Sequence, residues 1–114
     1  MRIRGLRAAG ASCGLGLLVS CAQPGATDRP PPQTHTVVME GLRFRPDTVT
    51  VNAGDSLVWV NRDLVPHSAT SAVARFDSRA IGADRSWRVS LSRPGDFEYV
   101  CSFHPTMKAR VRVR

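Results

Sequence analysis

The strongest constraint on the fold is a two-residue apolar repeat that runs through residues 36–114. Within residues 86–92 every second residue is apolar, so that Trp87, Val89 and Leu91 share one face of an extended chain. A period of two is the side-chain period of a β-strand, whereas an amphipathic helix repeats every 3.6 residues or so. The repeat therefore predicts an all-β domain.

Turns separate the predicted strands. Residues 57–60 are apolar on both faces, as expected of a central strand. Residues 107–114 place apolar side chains inward and basic side chains outward, the latter at Lys108, Arg110, Arg112 and Arg114. Turn-forming combinations of Pro, Asn, Gly and Asp lie between strands, at residues 45–47, 52–55 and 93–96. Because short strands at close spacing are typical of two packed sheets, we predict a β-sandwich or Greek-key barrel.

Residues 1–20 have the features of an export signal. A short cationic stretch, residues 1–7, precedes small and apolar residues that number fewer than the ~20 needed by a membrane-spanning helix. The segment leads into Leu18-Val19-Ser20-Cys21, which resembles a bacterial lipobox, in which the cysteine is acylated and becomes the first residue of the mature chain. The alternative is ordinary cleavage nearby, which leaves Cys21 as a free thiol. We expect an exported, periplasmic or extracytoplasmic protein that is anchored to the membrane through a lipid on Cys21.

Residues 21–35 are rich in Pro and lack a large apolar residue, which predicts a tether ahead of a folded domain at residues 36–114. A domain of this size has a small hydrophobic core, and small exported domains usually add disulfides or a metal. Cys13 would leave with the signal and Cys21 would be acylated. Cys101 therefore has no disulfide partner, which favours a metal.

The net charge of +7 raises nucleic acid or a membrane surface as a partner. Residues 22–114, however, carry thirteen Lys and Arg against nine Asp and Glu, a net charge of +4. Four of these bases line one face of the last predicted strand, which we interpret as a solvated face. Because the chain is also predicted to be exported, we expect no nucleic-acid partner.

Cys101, His104 and Met107 place a thiol, an imidazole and a thioether three residues apart between two predicted strands, and His67 follows an earlier strand. A thiolate and a thioether select a soft, redox-active metal. Two His residues, one Cys and a weak axial Met are the ligands of blue-copper sites. Zinc sites instead favour closed tetrahedra of Cys and His. These four residues therefore predict a copper site.

Two longer stretches around these residues resemble the cupredoxins. One runs from Leu42 to His67 and contains VNAGDSLVWVN, and the other runs from Phe97 to Lys108 and contains CSFHPTM. The resemblance extends over residues 36–114 and is strongest to the amicyanin, plastocyanin and pseudoazurin members. It implies a Greek-key sandwich of about eight strands. It also implies one type 1 copper with three equatorial ligands and one axial ligand, here His67, Cys101 and His104, and Met107.

Two residues depart from the pattern of these relatives. The relatives usually have Asn after the first His ligand, where its side chain ties the two ligand loops together and its backbone N–H bonds the Cys sulfur; this chain has Ser68. Because a hydroxyl reaches less far, we expect a looser loop and a shifted reduction potential. Phe103 stands where amicyanin has Pro, which restores a backbone N–H donor near the thiolate and adds a ring beside His104. Pro105 flanks His104 on the other side.

The resemblance implies a lipid-anchored carrier that passes single electrons between a donor and an acceptor redox protein. We expect transient docking near the edge of His104, where four apolar residues flank the two His ligands: Val65, Pro66, Phe103 and Pro105. The alternative is a copper-binding protein that sequesters or delivers the metal. An oxidase or a nitrite-reducing enzyme needs further copper centres built from many His residues. Only His35 remains in this chain, so we expect no enzymatic activity.

Overall fold

The chain forms strands and turns throughout its folded part. The computed structural model describes residues 9–21 and 28–114, and these residues contain no helix. The strands are β1 (Thr34–Met39), β2 (Phe44–Arg45), β3 (Thr48–Val51), β4 (Ser56–Asn61), β5 (Thr70–Ser71), β6 (Phe76–Asp77), β7 (Ser86–Ser90), β8 (Gly95–Cys101) and β9 (His104–Val113). The predicted cationic stretch, residues 1–7, and residues 22–27 of the predicted tether lie outside the described residues.

The strands form two sheets. One has four strands in the order β2-β1-β4-β7, and the other has five in the order β3-β9-β8-β5-β6. β1 pairs with β4 and β3 with β9 in parallel, and the other pairs are antiparallel. Apolar residues of both sheets meet in one core, so the predicted all-β sandwich is confirmed. Three strands, β2, β5 and β6, have two residues each, too few for an apolar repeat to reveal.

The core contains the predicted inward faces. β4 lies between β1 and β7, and its Leu57 and Trp59 are fully buried, which confirms a central strand. From Met107 onward, the apolar residues of β9 are buried and alternate with exposed basic residues, as predicted. β7 lies at a sheet edge, and Trp87 and Val89 are therefore only half-buried.

An aromatic cluster joins the two sheets close to the end of β8. The ring centroid of Trp59 lies 5.6 Å from that of Trp87, 5.4 Å from that of Tyr99 and 5.2 Å from that of Phe76. Aromatic pairs at such distances contribute about 0.5–1.5 kcal/mol each beyond the area that they bury. Because Tyr99 stands two residues before Cys101, this packing fixes the strand that carries the thiol.

The start of the domain is held by Asp55, a buried carboxylate in the turn between β3 and β4. It accepts hydrogen bonds of 2.9 Å from the N–H of Gln33, from Nε2 of His35 and from the N–H of Asn52. These bonds, above all the one from Gln33, lower the pKa of Asp55 from 3.8 to about 2. β1 begins at Thr34, and the domain was expected to begin at residue 36.

The N-terminal part that the structure describes, residues 9–21, is exposed and belongs to no strand. In the described part of the chain there is no helix of the length and apolar character needed to cross a membrane. Cys13 and Cys21 are exposed and Cys101 is buried, and none of the three forms a disulfide.

Candidate metal centre

Two imidazoles and one thiol converge at one end of the sandwich. Nδ1 of His67 and Nδ1 of His104 each lie 3.7 Å from Sγ of Cys101. The three donor atoms lie within 4.8 Å of one another. His67 and Cys101 are fully buried and His104 is half-buried. The fold thus brings three of the sequence-predicted ligands to one point.

The two nitrogen–sulfur separations have the length that a bound metal ion requires. With metal–nitrogen and metal–sulfur bonds of about 2.0 and 2.3 Å and an angle of about 120°, a nitrogen and a sulfur ligand are about 3.7 Å apart. Both nitrogen–sulfur separations in this protein are 3.7 Å. These two separations therefore match a metal that binds Cys101 together with either His nitrogen.

The hairpin of β8 and β9 supplies two of these donors. Cys101 is the last residue of β8 and His104 is the first residue of β9, so that only Ser102 and Phe103 separate the strands. The last strand was predicted to begin at Met107. It begins at His104 instead, because Cys101 and His104 pair directly after a register shift in β8. A turn this short leaves little freedom in the separation of the two ligands.

His67 lies on the segment between β4 and β5 and is held through its backbone and its ring. Its N–H donates to the Ile81 carbonyl (3.1 Å), and its carbonyl accepts from the Ile81 N–H (2.7 Å). Nε2 of His67 lies 2.7 Å from Oδ2 of Asp63. Because an ionised carboxylate can only accept, Nε2 carries the ring proton. Nδ1 is then the free ligand atom, and it faces Cys101.

Asp63 is a site residue that the sequence pattern did not reveal, although a carboxylate four residues before a candidate His ligand is a usable signal. It also accepts hydrogen bonds from the N–H groups of Gly41 (2.8 Å) and Leu42 (3.0 Å). The φ angles of these residues, 63° and 58°, are both left-handed, and both N–H groups reach the carboxylate. The N–H of Leu42 is the main cause that lowers the pKa of Asp63, and the bonds from His67 and Gly41 act in the same direction.

Asn61 is a second residue that the sequence pattern did not reveal. It is fully buried, and its Nδ2 donates to the carbonyls of Val65 (2.8 Å) and Ile81 (2.9 Å). Its Oδ1 accepts from the N–H of Asp63 (2.9 Å). Asn61 thereby fixes the loop that leads from β4 to His67.

Met107, the fourth predicted ligand, lies on the inward face of β9 and is only 3% exposed. Its thioether is kept from solvent, as an axial ligand would be. A buried thioether three residues after a candidate His ligand on the same strand favours copper over zinc, because zinc sites are built from Cys and His in closed tetrahedra.

Ser68 ties the two ligand-bearing segments together, contrary to the looser loop expected from its short side chain. Its N–H donates to Sγ of Cys101 (3.3 Å), and its Oγ accepts from the N–H of Ser102 (2.8 Å). A hydroxyl is long enough because Ser102 directly follows Cys101 and brings its own N–H to the partner segment.

Phe103 does not make the hydrogen bond expected of its N–H. Within residues 28–114, the backbone N–H that donates to Sγ of Cys101 is that of Ser68. Cys101 pairs with His104 across the β8–β9 turn, and Phe103 lies between them with its side chain exposed.

An apolar rim surrounds this end of the molecule. The four residues expected beside the His ligands are all exposed, with Phe103 52% and Val65 44% exposed. Leu42 and Leu64, 51% and 94% exposed, were not anticipated. Asp63 brings them to the same end, because it bonds the N–H of Leu42 and directly precedes Leu64. The apolar rim consists of Leu42, Leu64, Val65, Pro66, Phe103 and Pro105.

Comparison with known proteins agrees with this fold. Residues 11–113 match the family model of the cupredoxin-like domain. The chain belongs to this family.

Its relatives include amicyanins. Amicyanin of Paracoccus versutus is 25% identical over 102 residues, which are 85% of this chain and 77% of that protein. Amicyanin-alpha of Methylorubrum extorquens is 25% identical over 93 residues, which are 77% of this chain and 78% of that protein. The predicted resemblance to the cupredoxins, and to amicyanin among them, is confirmed.

Solved structures of amicyanin share the fold. A reduced Pro-to-Phe mutant of amicyanin superimposes with a TM-score of 0.65 at 24% identity, over 69% of this chain and 80% of that chain. A reduced Trp-to-Tyr mutant of amicyanin does so with a TM-score of 0.67 at 21% identity, over 71% and 82% of the two chains.

Proposed function

We propose that this protein carries one electron at a time on a mononuclear type 1 copper, with His67, Cys101 and His104 as equatorial ligands and Met107 as the axial ligand. The observation that carries the proposal is the pair of equal separations, 3.7 Å, between Sγ of Cys101 and the two Nδ1 atoms. Membership of the cupredoxin-like family and similarity to amicyanins support it. When bound, copper supplies a one-electron change between Cu(II) and Cu(I).

The protein's own residues keep the ligands in place during that change. Cys101 and His104 are fixed by the paired ends of two strands, and Asp63 fixes the ring of His67. The N–H of Ser68 donates to the thiolate sulfur. Because the ligands are held from several directions, little rearrangement accompanies the change in charge, which favours fast electron transfer.

Electrons enter and leave at His104, the one half-buried member of the three converging ligands. The apolar rim surrounds it and offers a surface of several exposed side chains to a donor or acceptor redox protein. An apolar surface with little charge of its own suits brief association, because it buries area without long-lived ion pairs.

We further propose that the protein acts outside the cytoplasm, in the periplasm or at the cell surface. Residues 1–20 would be a signal segment, residues 21–35 a tether that begins at acylated Cys21, and residues 36–114 the copper domain. The exposure of residues 9–21, which contribute nothing to the core among the described residues, supports this division. The buried position of Cys101 also suits an oxidising compartment, because it protects a lone thiol.

Copper titration followed by visible spectroscopy and voltammetry tests the proposal. We expect an intense visible band from the thiolate–copper bond and a reversible one-electron wave. Cys101→Ser should remove the band, and Cys21→Ser, the matched control, should keep it. Tight zinc binding without a copper band would refute the copper assignment. A blue centre that rapidly gives up Cu(I) to a chelator would instead favour copper sequestration or delivery.

A further inference from the structure

The hydroxyl of Ser68 is the centre of a hydrogen-bonded chain that extends well beyond the ligands. Ser68 is fully buried, and its Oγ lies 2.8 Å from the backbone N of Ser102 and 2.9 Å from Oγ of Ser102. It also lies 3.0 Å from Oγ1 of Thr70. The hydroxyl of Thr70 in turn donates to Oδ1 of Asp77 (3.2 Å).

Strand pairing places these residues side by side. Thr70 lies on β5 between β6 and β8, and its cross-strand neighbours are Asp77 on β6 and Val100 on β8. The N–H of Arg79 also donates to Oδ1 of Asp77 (2.8 Å) and fixes that carboxylate. The chain of hydrogen bonds therefore begins at an exposed carboxylate on the sheet edge and ends at the residue that follows Cys101.

The number of protons determines the direction of every bond in this chain. A hydroxyl donates one hydrogen bond and accepts up to two, and an ionised carboxylate only accepts. Thr70 commits its single proton to Asp77, so it can only accept from Ser68. Ser68 commits its proton to Thr70, and it therefore accepts from both the N–H and the hydroxyl of Ser102.

This direction has a consequence for the thiolate. The hydroxyl of Ser68 has no proton left for Cys101, and both of its acceptor positions are occupied by Ser102. The group of Ser68 that reaches Sγ of Cys101 is thus its backbone N–H, at 3.3 Å. Hydrogen bonds to a ligand sulfur are among the features that set the reduction potential of a metal centre.

We propose that Asp77 is a positioning residue for the ligand Cys101: by accepting the proton of Thr70 it orients the hydroxyl chain and holds Ser68 against the thiolate. Asp77 touches neither the ligands nor the metal, and it acts through Thr70. The effect on potential rests on the proposed copper function, whereas the effect on the hydrogen bonds does not.

A double-mutant cycle of Asp77→Ala and Thr70→Val tests the proposal. Asn would keep an oxygen that can accept the Thr70 proton, whereas Ala removes the acceptor. If Asp77 acts through Thr70, Asp77→Ala should change hydrogen bonding at Ser68 in the unaltered protein and change it far less when Thr70→Val is already present. Any effect of the Asp77 substitution that persists when Thr70→Val is present measures the direct effect of removing the negative charge. Thr70→Ser is the matched control. It retains the hydroxyl and should therefore behave like the unaltered protein.

Two measurements apply to each variant. Amide hydrogen exchange at Ser68 and Ser102, followed by NMR in the zinc-loaded protein, reports the hydrogen bonds without any copper redox chemistry. We expect roughly fivefold faster exchange in Asp77→Ala and in Thr70→Val, the ratio that corresponds to losing one hydrogen bond of average strength. Voltammetry of the copper-loaded protein should show a lower potential in Thr70→Val, because a weaker Ser68 N–H bond stabilises the reduced thiolate site less.

The outcomes separate the two proposals. Equal effects of Asp77→Ala with and without Thr70→Val, or no effect on exchange at either amide, would overturn the role of Asp77. Coupled effects on exchange support it. If those coupled effects occur in a protein that forms no blue copper centre, the role of Asp77 at Cys101 stands and the proposed function fails.

Discussion

Oδ2 of Asp63 lies 2.7 Å from Nε2 of His67, and this contact decides which ring nitrogen faces the thiol. A proton on Nε2 leaves Nδ1 free, 3.7 Å from Sγ of Cys101. The same carboxylate bonds the loop that carries Leu42. The Asp63 side chain thus fixes the tautomer of one candidate ligand and also holds part of the apolar rim.

Replacing Asp63 should therefore weaken metal binding. Loss of a carboxylate that orients a ligand His typically lowers metal affinity about 10–100-fold, and we expect this range for Asp63→Ala. Competition with a chelator of known affinity measures it. Asp84→Ala is the matched control, because Asp84 is 85% exposed and is not bonded to a ligand. Unchanged copper affinity in Asp63→Ala would show that His67 is oriented without it.

Met107→Leu should keep the blue colour and raise the reduction potential. The thiolate and the two imidazoles remain, whereas a weak axial donor that preferentially stabilises Cu(II) is lost. Visible spectroscopy and voltammetry measure the two properties. Met39→Leu makes the same substitution at a fully buried core residue of β1 and should change neither. A lower potential or a lost band in Met107→Leu would contradict the axial assignment.

A charge on the apolar rim should slow electron exchange without altering the copper site. Leu64 is 94% exposed, and Leu64→Asp would bring two like charges together when two copies meet at their rims. We expect electron self-exchange, measured by NMR, to slow roughly tenfold or more at low salt, with partial recovery at high salt. Thr50→Asp, on the exposed face of β3, is the control. The same self-exchange rate in both variants would place the docking surface elsewhere.

Asp55→Asn should destabilise the domain in a pH-dependent manner. The pKa of Asp55 is lowered from 3.8 to about 2, mainly by the N–H of Gln33, so its ionised form is bound more favourably in the folded state. That stabilisation is fully present above pH 4 or so and is lost as the pH falls through about 2. We expect a melting temperature several degrees lower at pH 7.

The difference in melting temperature between the unaltered protein and Asp55→Asn should shrink as the pH falls from about 4 to about 2. Thermal denaturation at a series of pH values measures this difference. Asp47→Asn is the control, because it replaces an exposed carboxylate and is subject to the same loss of copper in acid. A gap that is the same at pH 7 and at pH 2 would mean that Asp55 stabilises the turn by shape and not by charge.

Cys21→Ala should release the protein from the membrane without changing its copper spectrum. Cys21 is exposed and lies outside the strands, so its replacement leaves the metal centre intact. Detergent partitioning of native material and the mass of its N-terminal peptide measure the lipid. Cys13→Ala is the control, since Cys13 lies within the predicted signal and should not affect partitioning. An unmodified N-terminus at or near residue 21 would rule out the lipid anchor.

The fold and the donor set were predictable because both depend on local patterns. A period of two identifies a β-strand wherever it occurs, and it correctly placed β4 at the centre of a sheet and the bases of β9 on the surface. The ligand types are likewise a property of the residues. A thiol, an imidazole and a thioether at spacings of three point to copper whatever surrounds them.

Contacts between distant segments were not predictable. Nothing near Asp63 in the sequence indicates that it also bonds the loop at Leu42, and nothing near Asp77 links it to Ser68. The two-residue strands β5 and β6, which place Thr70 beside Asp77, are too short for a periodic signal.

By itself, the sequence determined a β-sandwich and pointed to His67, Cys101 and His104, the three side chains that converge at one end of it. The tertiary structure alone decided the ring nitrogen that His67 presents, the hydrogen bond that Cys101 receives and the side chains that surround His104. The physical reason is how far apart along the chain the interacting residues lie. Strand formation and ligand chemistry depend on neighbours along the chain, whereas hydrogen bonds between loops depend on strand register, which is settled only when the two sheets pack together.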